Sequence, residues 1–121
     1  FTGFGTRAKV RQANNALNSI KVDLDDTKLA LDLAFDNAKK QLENSLITIN
    51  NQKENAQLAQ EVFDNTNNNY TQGLAALTDL LDAENALVEA QNNYTSAILE
   101  YKLAEIQFIK SKGELKNLLN Q

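Results

Sequence analysis

The 121 residues carry 12 basic and 16 acidic side chains for a net charge of −4, with 42 % hydrophobic residues and no proline, cysteine, histidine, methionine or tryptophan. Without cysteine and histidine there is no disulfide framework, thiol nucleophile, imidazole base or common zinc, copper or haem ligand set, so no cofactor is expected. No apolar run approaches the roughly 20 residues of a membrane-spanning helix, and a chain that opens on Phe1 with no methionine is expected to be a processed or excerpted one. The length allows one domain at most, and no proline- or glycine-rich stretch marks an internal linker.

The opening Phe1-Thr2-Gly3-Phe4-Gly5 sets two glycines among aromatics, and it reads as the end of an extended segment turning into a helix. From there residues 6–67 are predicted as one long helix. Apolar or small residues recur at steps of three and four: Val10, Ala13, Leu17, Ile20, Leu24, Thr27, Leu31, Ala34, Ala38, Leu42, Ser45, Ile49, Ala56, Ala59 and Phe63, with Gln52 as a polar interruption. A helix of about 62 residues is a rod of ~93 Å, longer than any compact globule of this size would hold.

Residues 68–73 are the predicted tip. Asn67-Asn68-Asn69 can close a helix in left-handed backbone geometry, and Gly73, the only glycine between Gly5 and Gly113, is a second permissive position. The second helix is predicted over residues 74–119. Ala76, Ala83, Ala90, Ala97 and Ala104 fall seven apart, and Leu80, Leu87, Tyr94, Tyr101, Phe108 and Leu115 form a second sevenfold series. These are the two seams of a heptad repeat, alanine in one and large residues in the other, and alanine lets a facing helix approach to the short end of the usual 8 to 10 Å. Aromatic residues at this spacing are core residues rather than a cofactor box.

The fold class expected is therefore all-α, a long antiparallel two-helix coiled-coil hairpin. Folding about the tip pairs residue i with roughly residue 143 minus i, so the first twenty or so residues have no partner inside the chain. Leu77, Leu81, Val88, Ile98 and Ile109 lie beside or behind the seam and call for further helices, since a lone two-helix layer of this size is marginal.

Charge is unevenly spread. Glu54 to Tyr101 contains eight acidic side chains and no lysine or arginine, while the remaining 12 basic and 8 acidic residues leave the flanks at +4. The tip half is acidic, which is the wrong sign for nucleic acid and for an amphipathic helix on an anionic membrane surface. Asp23-x-Asp25-Asp26 lacks the glycine and distal glutamate of a calcium loop, so no metal site is expected there. Asp79 and Asp82 share a helix face near the tip, but no nucleophile or oxyanion donor accompanies them, and no enzyme is expected.

One composite pattern is more specific. Tyr70-Thr71-Gln72-Gly73, then Leu77-Thr78-Asp79-Leu80-Leu81-Asp82-Ala83, then Leu87-Val88-Glu89-Ala90-Gln91-Asn92-Asn93-Tyr94 resembles the Tyr-x-x-Gly, Leu-x-Asp/Glu-x-Leu-Asp-Ala and Leu-x-x-Ala-Gln-x-x-Tyr pattern of TolC-like outer-membrane efflux proteins. Phe1-Thr2-Gly3-Phe4-Gly5 with Arg7 and Ala13 is similar to the family's Phe-x-Gly-Gly segment, where a barrel strand passes into the long helix of the second repeat. Tyr101, Ala104 and Gly113 fall where the family closes its last long helix.

The resemblance implies an excerpt of a trimeric duct, an outer-membrane β-barrel continued by a helical tunnel through the periplasm, with this chain as the hairpin of the second repeat and the strands outside it. It implies a periplasmic adaptor protein as partner, an inner-membrane pump reached through that adaptor, and export of small molecules or proteins. Tyr70, Gln72, Gly73, Leu74 and Ala75 would form the adaptor-docking tip, and Tyr70, Asp79 and Asp82 the pore constriction and gate. Two departures stand out: Asn69 and Ala75 occupy positions where members of the family carry arginine, so latching by those arginines is not carried over. The alternative is a coiled-coil scaffold or adaptor module that oligomerises through its alanine seam and forms no pore.

Overall fold

A computed structural model describes residues 2–120 of the chain. Two helices account for nearly all of them: α1, Thr2–Thr71, and α2, Leu77–Leu119. They pack side by side along the predicted seam, and no strand occurs among the described residues.

The extended opening is not what forms. Thr2 to Gly5 belong to α1, while Phe1 lies outside the described residues. Each glycine in a helix costs about 1 kcal/mol relative to alanine, but extending an existing helix avoids the nucleation cost. At the other end, α1 runs through Asn67, Asn68 and Asn69 to Thr71, and α2 continues through Gly113 to Leu119. The asparagines keep helical geometry; among the described residues only Gly73 has positive φ, at 75°.

The chain divides into two compact units, Ala38–Ile109, and Phe1–Asn37 with Lys110–Gln121. In the first, α2 turns toward α1 the residues Leu80, Ala83, Leu87, Ala90, Tyr94, Ala97, Tyr101, Ala104 and Phe108, all buried or half-buried. The tightest are Ala97 and Ala104, each 3 % exposed. Leu87 is 8 % exposed, a burial that stabilises by about 1.5–3 kcal/mol.

The facing stripe of α1 proves to be a heptad as well. Ala38, Ser45, Gln52, Ala59 and Thr66 form a series of mostly small residues seven apart, and Phe35, Leu42, Ile49, Ala56 and Phe63 a series of mostly large ones, each buried or half-buried. Leu31, Phe35 and Ala38 carry the stripe, not Leu31, Ala34 and Ala38: Ala34 is exposed and Phe35 half-buried. Where two adjacent residues are both apolar, hydropathy does not choose the phase; the larger side chain gains more by burial and takes the seam.

In the second unit, Leu24, Asp25 and Lys28 share a groove with Leu118 and Leu119, close to the expected pairing sum of 143. Ser111 continues the alanine series of α2 and is buried. Residues 3–30 are all exposed; Val10, Leu17 and Ile20 lie in the first twenty or so, the stretch expected to have no partner inside the chain. Leu77, Leu81, Val88, Ile98 and Ile109 are likewise exposed. No helix among the described residues is long and apolar enough to cross a membrane.

Candidate functional site

The turn between α1 and α2 is where the sequence concentrates its candidate residues, and its backbone follows from one glycine. The Leu74 amide donates to the Asn69 carbonyl at 2.7 Å, and the Gly73 amide donates to the Tyr70 carbonyl at 3.0 Å. Six-to-one and five-to-two bonds around a left-handed residue define the Schellman motif, with Gly73 at the position just past the cap. The Asn68 carbonyl accepts from the Gln72 amide at 3.2 Å and from the Thr71 hydroxyl at 2.8 Å. The carbonyls of Asn68, Asn69 and Tyr70, in the last turn of α1, thus find partners within the turn.

A Schellman turn is commonly sealed by a hydrophobic contact from the residue after the glycine back onto the last turn of the helix. Here that residue is Leu74 and the positions it would reach are Asn68 and Asn69. The apolar seal is not available, and Leu74 stands 75 % exposed.

α2 begins at Leu77 because Ala76 supplies the first helical carbonyl, accepting from the Leu80 amide at 3.3 Å. The Asp79 carboxylate Oδ2 reaches back and accepts from the Ala76 amide at 3.1 Å. This is one half of a capping box, with the carboxylate three residues into the helix and an alanine where the reciprocal serine or threonine would stand. A carboxylate in the first turn also faces the positive end of the helix dipole, worth about 0.3–1 kcal/mol at an exposed site. Asp79 therefore has a structural task at the tip beyond the gating role that the family resemblance implies for it. The usual signature of a polar cap followed by an acid is absent at Ala76; the signal that could have found it is the acid itself, just inside the helix start.

The remaining candidates are distributed around this turn. Tyr70 lies in the last turn of α1 and is 39 % exposed. Gln72 and Gly73 are exposed at its end, Ala75 is half-buried in the linker, and Asp82 is exposed one turn into α2 beyond Asp79. Nothing lies within 4 Å of where a Cβ on Gly73 would point, so this glycine faces open space. The turn thus brings the five tip residues and Asp79 into one short stretch of surface, and Asp82 follows on the helix. Asp23, Asp25 and Asp26 line mid-helix, and no group of metal-ligating side chains forms among the described residues.

Chemically, such a surface offers an exposed leucine and tyrosine, an uncluttered glycine backbone and a carboxylate already engaged in capping. It is suited to contact with another protein. No curated protein and no solved structure matches the chain. A family model described as outer membrane efflux protein does match it, over residues 1–114. With a match across nearly the whole length of an all-α hairpin, the chain belongs to the outer membrane efflux protein family, a family of transport channels and not of enzymes.

Proposed function

We propose that this hairpin is a tunnel-forming element of a TolC-like efflux duct, projecting into the periplasm, and that its tip docks a periplasmic adaptor protein. The native unit is a homotrimer anchored in the outer membrane by strands outside this sequence, and the adaptor joins it to an inner-membrane pump. Tyr70, Gln72, Gly73, Leu74 and Ala75 make the docking surface. Tyr70, Asp79 and Asp82 line the constriction, where carboxylates repeated around a ring form an acidic gate that opens when adaptor and pump engage.

The observation that carries this reading is the tip itself, a Schellman turn that leaves Leu74 75 % exposed while Gly73 faces open space. The exposed apolar rows behind the seam support it further. Leu77, Leu81 and Val88 on α2 and Val10, Leu17 and Ile20 on α1 are the side chains that neighbouring helices of a tunnel wall would cover.

The test of the assembly is an immunoblot of fractionated cells with antibody against this segment, run with and without heating. The expected result is an outer-membrane band that falls from trimer to monomer mobility on heating. A band confined to the soluble fraction at the 13.4 kDa of this chain would contradict the duct and leave the free coiled-coil module.

A further inference from the structure

The two flanks of the seam between α1 and α2 differ in chemistry. On one flank, Gln41, Asn44 and Thr48 of α1 share a groove with Glu100 and Leu103 of α2, and Thr48 and Glu100 also line a second groove with Gln52, Asn93 and Ser96. Steps of seven keep a residue on one side of a coiled coil. Counted back in sevens, Asn93 leads to Asp79, and Ser96 leads to Glu89 and then Asp82, so these three carboxylates and Glu100 belong to the grooved flank.

The same steps add Asn51, Asn55, Leu58, Val62 and Asn65 from α1, so from Gln41 to Leu103 this flank carries no lysine or arginine. Asp79 accepts from the Ala76 amide; Asp82, Glu89 and Glu100 are exposed with no cation on their flank. The opposite flank has the reverse character. Leu77, Leu81, Val88, Ile98 and Ile109 all lie there, joined by Leu46 of α1, and all six are exposed. Its carboxylates are accompanied by Lys53 and Lys102, and the Lys102 ammonium lies 3.6 Å from the Glu105 carboxylate.

We propose that the grooved flank lines the water-filled lumen of the duct, and that Glu89 and Glu100 extend the acid pair at the tip into a track that favours cationic solutes over anionic ones. The proposal rests on the duct reading given above. Carboxylates without a counter-charge are penalised by burial and stay in water, whereas an exposed apolar row is the face that other helices of the wall cover. From Asp79 to Glu100 the helix rises about 31 Å, so the acidic lining reaches well past the constriction. Repeated on each copy around a narrow lumen, charges of one sign raise the local concentration of the opposite ion.

Thiol modification of the full-length protein in planar bilayers tests it, with the unsubstituted protein as baseline. The probes are two methanethiosulfonates of similar size, one carrying a trimethylammonium and the other a sulfonate. Ser96→Cys, between Glu89 and Glu100 on the grooved flank, is expected to lose conductance on modification, on the order of tenfold faster with the cationic reagent. Val88→Cys, on the apolar flank, is expected to keep its conductance. Adding Glu89→Gln and Glu100→Gln to Ser96→Cys should bring the two rates together. A response at Val88→Cys with none at Ser96→Cys would overturn the assignment of the flanks, and equal rates for the two reagents at Ser96→Cys would overturn the acidic track. If the full-length protein conducts no ions at all, the duct reading itself fails and this inference fails with it.

Discussion

Gly73→Asn is expected to leave the hairpin folded and assembled while lowering the drug tolerance of cells that depend on this channel. The two roles of the glycine separate at this substitution. Its φ of 75° lies in the left-handed region, where an ordinary side chain costs about 1–2 kcal/mol but asparagine is tolerated through its own local hydrogen bonding. Because no atom lies within 4 Å of the added Cβ, the folded chain gives no steric reason to refuse it. An adaptor approaching the bare backbone does: a side chain forced into a close contact costs about 1–3 kcal/mol, which weakens docking on the order of tenfold or more. Gly73→Val, β-branched and strained in this geometry, should lose both stability and tolerance. Unchanged tolerance in Gly73→Asn, with normal trimer abundance, would remove the claim that partners meet the tip at this glycine.

Ala104→Leu should destabilise the hairpin strongly. Ala104 is 3 % exposed, in a row where alanine permits the helices to approach closely, and three added carbons press the facing helix away. Overpacking of this kind costs about 1–3 kcal/mol, a fall in melting temperature on the order of 5–15 °C for a chain of this size. Ala86→Leu makes the same chemical change at an exposed position of the same helix and should move stability by no more than about 0.5 kcal/mol. Thermal unfolding followed by circular dichroism decides it, and equal melting temperatures for the two variants would mean that the alanine row does not set the helix separation.

The contrast between the helices shows what a sequence exposes and what it hides. The seam of α2 was legible because one residue type, alanine, repeats every seven positions from Ala83 to Ala104; Ala76, which begins the series in the sequence, is exposed just ahead of α2 and is not part of the seam. The equivalent seam of α1 has the same period, but Ser45, Gln52 and Thr66 break it when residues are sorted by hydropathy, and sorting by size recovers it except at Gln52 and Ala56. The choice between Ala34 and Phe35 depended on the facing helix, which no local pattern contains. At the tip, the asparagine run suggested a stop that tertiary context did not require, since helix continuation through Asn67 to Thr71 costs little and Gly73 alone provides the left-handed turn. The capping task of Asp79 leaves no paired signature in the sequence because its partner is a backbone amide, that of Ala76. A docking role is a property of two molecules, and in this one Leu74 shows only that it is exposed where a Schellman turn is commonly covered.

The most direct test of the account is therefore contact at Leu74 itself. These 121 residues contain no cysteine, so Leu74→Cys introduces a single thiol into the hairpin at a tip position that is 75 % exposed. Treatment of intact cells with a short bifunctional thiol-to-amine cross-linker, followed by immunoblotting for this chain and mass spectrometry of the shifted band, reports the neighbour. The expected product joins the hairpin to a periplasmic adaptor protein, and Gln91→Cys, on an exposed face of α2 well away from the tip, does not form it. If Leu74→Cys yields no adaptor adduct while Gln91→Cys does, the tip is not the docking surface and the adaptor binds along the side of the hairpin instead.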